Sequence, residues 1–151
     1  IVSESVATKT GRIKRPRPTK KGFRWLQNKG FGLQKQMGLE HRYWQRRIAM
    51  QCQKMGYVVQ EEYLLKHKEA VDVMVKNKKK KVAIEIETGS NPYAQMVKNI
   101  QKCVGQFDGV ISLMLSPEKV IEVKKMIREG ILTTEEYDCL YHIRRILGED
   151  A

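Results

Sequence analysis

Apolar and polar positions change their spacing several times along the chain. Residues 1–18 carry no apolar period, and Gly11, Pro16 and Pro18 interrupt them, so extended chain is expected there. Thr19 is placed to cap a short helix with Phe23, Trp25 and Leu26 as its apolar residues, and Gly30, Gly32 and Gly38 follow as breaks. From Met37, His41, Trp44, Ile48, Cys52 and Met55 recur at steps of three or four, which predicts a helix ending at Gly56. The period then shortens to two. Tyr57 to Leu65 is β-branched and aromatic enough for a strand. Ala70 to Val75 alternates, with Val71, Val73 and Val75 opposite Asp72 and Met74. After a polar turn at 77–80, Lys81 to Glu87 alternates again, with Val82, Ile84 and Ile86 opposite Ala83, Glu85 and Glu87.

Gly89 to Pro92 reads as a loop and helix start. A stripe through Tyr93, Met96, Val97, Ile100 and Val104 predicts a helix to Gly105. The apolar run Val110 to Leu115 suits a central strand buried on both faces. Ser116-Pro117 is expected to cap and open a helix running to Gly130, and Thr133 or Thr134 to start a last helix through Leu147. The expected architecture is a compact α/β sandwich: a three-strand meander, a right-handed crossover helix, a fourth strand and two C-terminal helices.

Charge divides the chain. Residues 1–50 hold 13 Lys/Arg against Glu4 and Glu40, whereas residues 51–151 hold 16 against 15 acids. A basic block (residues 1–37) beside a balanced domain (38–151) reads as a polyanion-binding arm, with nucleic acid as the usual polyanion. Arg12, Lys14, Arg15, Arg17, Lys20 and Lys21 are its candidate phosphate contacts; a solvated basic tail is the bland alternative. Cys52, Cys103 and Cys139 are too few and too widely spaced for a disulfide framework or a zinc site, which points to a cytoplasmic or nucleoid-associated protein. No run is long enough to span a membrane. A chain that begins at Ile1 is expected to belong to something longer, with a partner protein or a larger machine as its setting. Its apolar last helix offers a homodimer surface. No phosphate-binding loop, dinucleotide fingerprint or nucleophile elbow supports an ATPase, dehydrogenase or serine hydrolase.

Asp72, Glu85 and Glu87 are acids inside core-like strands. Period two puts Glu85 and Glu87 on one face, and hairpin pairing brings Asp72 beside them, so the three carboxylates can converge. Converging carboxylates repel unless a cation joins them, and oxygen ligands select Mg²⁺ or Mn²⁺. Such an ion beside a basic groove is equipment for phosphodiester hydrolysis. The alternative is a half-exposed sheet whose acids face solvent and pair weakly with Lys76 or Lys81. Lys78 to Lys81 forms a hairpin tip that is either solvated or touches phosphate.

The stretch VDVMVKNKKKKVAIEIETG, in its setting of helix, three strands, helix and strand, resembles the core of the PD-(D/E)XK nucleases, the superfamily of restriction-endonuclease-like and Holliday-junction-resolvase-like enzymes. The resemblance covers roughly residues 38–115. It implies a restriction-endonuclease-like α-β-β-β-α-β core, a metal-dependent DNA endonuclease or resolvase, and Asp72 and Glu85 as the metal ligands. Glu40, in GLEHRYW, holds the place of the acid on the first helix of resolvase-like members. The family's motif lysine is replaced by Glu87. That residue would then activate water or act as a third ligand, as in enzymes of the BamHI type, or a cationic role would pass to Lys98 or Lys102 on the next helix. Both lysines are also candidate nucleic-acid contacts, and a solvated helix face is the alternative for each. An inactive nuclease-like module that binds DNA or a partner is the competing expectation, and an interaction domain for an acidic partner or ribosomal RNA is a third.

Overall fold

The computed structural model describes residues 33–148, with side chains from 38 onward. Two compact units, Ile1–Trp44 and Gln45–Ala151, divide the chain. Of the first, the described part is the opening half of one helix. The arm residues Arg12, Lys14, Arg15, Arg17, Lys20 and Lys21 lie outside the described residues.

The helix α1 spans Leu33–Lys54. Strands β1 (Val58–Leu64), β2 (Ala70–Lys76) and β3 (Lys81–Glu87) follow, then α2 (Tyr93–Gln101) and β4 (Gly109–Met114). A single 3-10 turn at Pro117–Lys119 leads into α3 (Val120–Met126), β5 (Ile131–Thr133) and α4 (Glu136–Leu147). The five strands lie in the order β1-β2-β3-β4-β5. The first three form an antiparallel meander, and β4 and β5 add parallel to β3. The chain is thus an α/β protein with a mixed five-stranded sheet and four α-helices among its described residues. None of the described helices is long and apolar enough to cross a membrane.

Both faces of the sheet are covered. On one, Ala83 and Val110 meet Met96, Val97 and Ile100 of α2 and Val123 of α3. The other face belongs to α4. Gly109 pairs with Val82, one step off the Ala83–Val110 pair that faces α2, and a side chain at Gly109 would run into Ile146. Glycine there lets the Ile146 side chain of α4 lie directly on the sheet. The second half of α1 lies beside α4, tied by Arg47 Nε donating to Glu136 Oε1 at 2.8 Å. Burial on two faces explains why β3 and β4 are almost wholly apolar apart from Lys81 at the start of β3, Glu85, Glu87 and Ser112.

Two expectations fail at the C-terminal end. Thr133 does not start a helix: it ends β5, and α4 begins three residues later. Ser116 does not cap the helix after it. Its hydroxyl donates instead to the Thr88 carbonyl at 3.3 Å, tying the end of β4 to the loop after β3. Gly89 (φ +96°) lies at this contact, and a Cβ there would collide with Ser116 Oγ.

Candidate active site

The β2–β3 ladder pairs Lys76 with Lys81 and ends at Val73 opposite Ile84. One residue on, where Asp72 meets Glu85, side chains replace the backbone pairing. Asp72 Oδ2 accepts from the Ile86 N–H at 2.8 Å, and Glu85 Oε2 accepts from the Asp72 N–H at 3.3 Å. A buried N–H left by the ending ladder needs an acceptor, and each acid supplies one. The expected juxtaposition of Asp72 and Glu85 is therefore present.

The side of the sheet on which they meet is dry. Glu85 and Glu87 are each only 3% exposed, which removes the reading of these acids as a solvated sheet face. Burial pushes the Glu85 carboxyl up to about 9, and the neighbouring Asp72 adds to the rise through its charge and its hydrogen bond. Lys102 opposes that rise. Its Nζ lies 2.6 Å from Glu85 Oε1 and donates to the Ala70 carbonyl at 2.8 Å. Burial lowers the proton affinity of this lysine, but the Glu85 bond and charge outweigh it, and the net shift is upward. Lys102 caps α2 at its C-terminal end and hangs over the start of β2. Lys102 is therefore not part of a solvated helix face. Lys98, one turn earlier, is exposed.

Glu87 is held apart from this trio. Asn91 Nδ2 donates to its Oε1 at 2.8 Å and Asn99 Nδ2 to its Oε2 at 3.4 Å. The three carboxylates do not converge as a set: among the described residues, no three His, Cys, Asp or Glu side chains form a group placed to hold a metal ion. The cause is geometric. Glu87 is one full pleat beyond Glu85, where the loop after β3 and the last turn of α2 supply amide donors. Glu40 lies on the part of α1 that belongs to the first compact unit.

Asp72 is braced from behind. Gln45 Nε2 donates to the Asp72 carbonyl and to Glu62 Oε1, both at 2.8 Å. Glu62 takes φ +51° opposite Asp72, where the β1–β2 register passes over the pair. Gln45, Asn91, Asn99 and Ser112, the last paired with Glu85 across the parallel ladder and buried, went unnoticed in the sequence. The signal was available: Gln45, Asn99 and Ser112 are polar residues at or beside positions that periodicity assigns to the core.

Comparison with protein-family models, with curated proteins and with solved structures finds no match to this chain.

Proposed function

We propose that the chain is a metal-dependent DNA endonuclease or resolvase-like phosphodiester hydrolase with a PD-(D/E)XK-type core. The observation that carries this reading is the trio of buried Glu85 with half-buried Asp72 and Lys102 at the point where β2 and β3 part. Support comes also from the order of elements, α1 to β4, with a parallel crossover after the third strand.

The donor set suits a hard divalent ion. Two carboxyls sharing one proton offer the oxygens that Mg²⁺ or Mn²⁺ takes from protein, the remainder coming from water and substrate phosphate. Asp72 and Glu85 would hold the ion, and bound there it would polarise a phosphate oxygen and acidify a water. The chain's own residues supply the rest. Lys102 balances the charge of the carboxyl pair and gives the site the cation that the Glu-Ile-Glu motif lacks. Glu87, its carboxylate oriented by two asparagines, is the group to position or deprotonate the attacking water. The arm lysines and arginines, together with Lys98, attract phosphate without regard to sequence. The test is cleavage of plasmid and branched DNA with Mg²⁺ or Mn²⁺ by the full chain and by Glu85→Gln. Cleavage by the first and none by the second is expected.

One observation favours a second reading, an inactive nuclease-like module that binds DNA or a partner. Glu87 already has both oxygens engaged by Asn91 and Asn99, as in a structural site. Intact DNA binding with no cleavage by the wild type or by Glu87→Lys decides for that reading.

A further inference from the structure

The opposite end of the sheet has the reverse character. The β2–β3 tip carries Lys76, Lys78, Lys79 and Lys80, all exposed. Fold requirements do not explain them. Asn77 alone makes the turn, its Oδ1 accepting from the Lys79 N–H at 3.0 Å and the Lys80 N–H at 2.7 Å. Residues 78–80 are thus free of structural constraint on their side chains, and all three are cationic. Lys76 also sits directly opposite Lys81, an arrangement that like charges disfavour. Lys81 itself is committed elsewhere, its Nζ over the rings of Phe107 and Tyr63.

The tip is also anchored. Asn77 Nδ2 donates to the Leu147 carbonyl at 2.6 Å, which pins the turn to the C-terminal end of α4. That last turn carries Arg144 and Arg145, both exposed, and Arg145 reaches the hydroxyl of the exposed Tyr141 at 3.5 Å. Two sequence-distant basic segments are held side by side by one asparagine. Among the described residues none of these six cations forms an ion pair with a carboxylate. Among the described residues, the nearby acid Asp108 accepts from the Lys81 N–H at 2.8 Å.

We infer that the β2–β3 tip and the last turn of α4 form a preset basic platform that binds the phosphodiester backbone of duplex DNA. Along β2 the platform begins four residues from Asp72, about 13 Å away, less than half of the roughly 34 Å helical turn of a duplex. The platform does not depend on catalysis at the acidic pair.

The test uses the full chain and a fluorescein-labelled 25-bp random duplex, read by anisotropy over a NaCl series with EDTA present. Three variants are compared: Lys78→Gln/Lys79→Gln/Lys80→Gln, Arg144→Gln/Arg145→Gln, and a charge-matched control on α3 and the turn after it, Lys124→Gln/Lys125→Gln/Arg128→Gln. Each lost phosphate contact lowers the salt slope by about 0.9, so the tip triple should lower it by about 2 to 3 and the arginine pair by about 1 to 2, with the control changing it by less than about 1. Asn77→Ala, checked for fold by circular dichroism, should weaken binding with no charge removed. Equal effects of tip and control overturn the proposal. Loss of binding to poly-glutamate with DNA affinity intact also overturns it, in favour of an acidic protein partner. Because no divalent ion is present, failure of this surface and failure of the nuclease reading are separate results.

Discussion

The two ends of β2 and β3 are built from the same kind of alternating strand and put charge to opposite uses. At one end Asp72, Glu85 and Glu87 lie under α2, and Glu85 and Glu87 are sealed from water, each with partners: Lys102, the backbone of the parting strands, or two asparagines. At the other, Lys76 and the turn lysines stand in solvent, and among the described residues none of them pairs with a carboxylate. A buried charge is costly unless paired, so the first arrangement must be specified by its neighbours. An exposed charge costs little, so the second is free to serve a partner outside the molecule.

That contrast can be broken at several points. The largest effect is expected from Glu85→Gln, which should reduce Mg²⁺-dependent cleavage to background, because a neutral amide is a poor ligand for a hard ion. A gel assay on supercoiled plasmid reads this. Next is Lys102→Met. Removing the cation beside a buried acid should cost about 3 kcal/mol of folding stability once that acid is ionised, measured by urea denaturation just above pH 9, and Lys102→Arg should recover part of it. Unchanged stability would make Lys102 a surface residue and erase the difference between the two ends.

Glu87→Lys divides the two functional readings. If Glu87 activates water, the substitution should slow cleavage by about 100-fold. If the site is a degenerate form of the lysine-bearing family, cleavage should instead rise or appear.

The pH dependence is smaller but has a defined sign. Glu85 holds its proton up to about pH 9 in the folded protein, against the usual 4.5 when unfolded. The folded state therefore binds the extra proton between these values, so stability falls as pH climbs from about 4.5 towards 9 and levels off above it. Glu85→Gln should flatten that slope. A divalent ion must displace the same proton, so calorimetry in two buffers of different ionisation enthalpy should find about one proton released per ion.

The smallest effects belong to the exposed cations. Deleting residues 1–18 removes Lys9, Arg12, Lys14, Arg15 and Arg17 against Glu4. The salt slope of DNA binding should fall by about 0.9 for each that touches phosphate, and the cleavage rate of bound DNA should stay the same.

Period two along residues 70–76 and 81–87 was sufficient to assign both strands, to put Glu85 and Glu87 on one face and to bring Asp72 against Glu85, because alternation is a local property of the backbone. The stripe from Met37 likewise announced α1, and the run from Val110 a strand buried on both sides. β5 escaped notice because three residues show no period, and Thr133 and Thr134 resemble helix caps as much as strand. The choice between Lys98 and Lys102 was beyond local pattern: Lys98 lies on α2 and Lys102 caps it one turn later, and only the packing of that helix end on the sheet sends Lys102 onto Glu85 and leaves Lys98 in water. Asn91 and Asn99 around Glu87, and Asn77 bridging 70 residues to Leu147, are decided in the same way. The sequence by itself determined which residues are charged and which face of each strand they share. Tertiary structure alone decided which of those charges lose water and which partner each one meets, because partners far apart in the chain are brought together only when helices pack on the sheet.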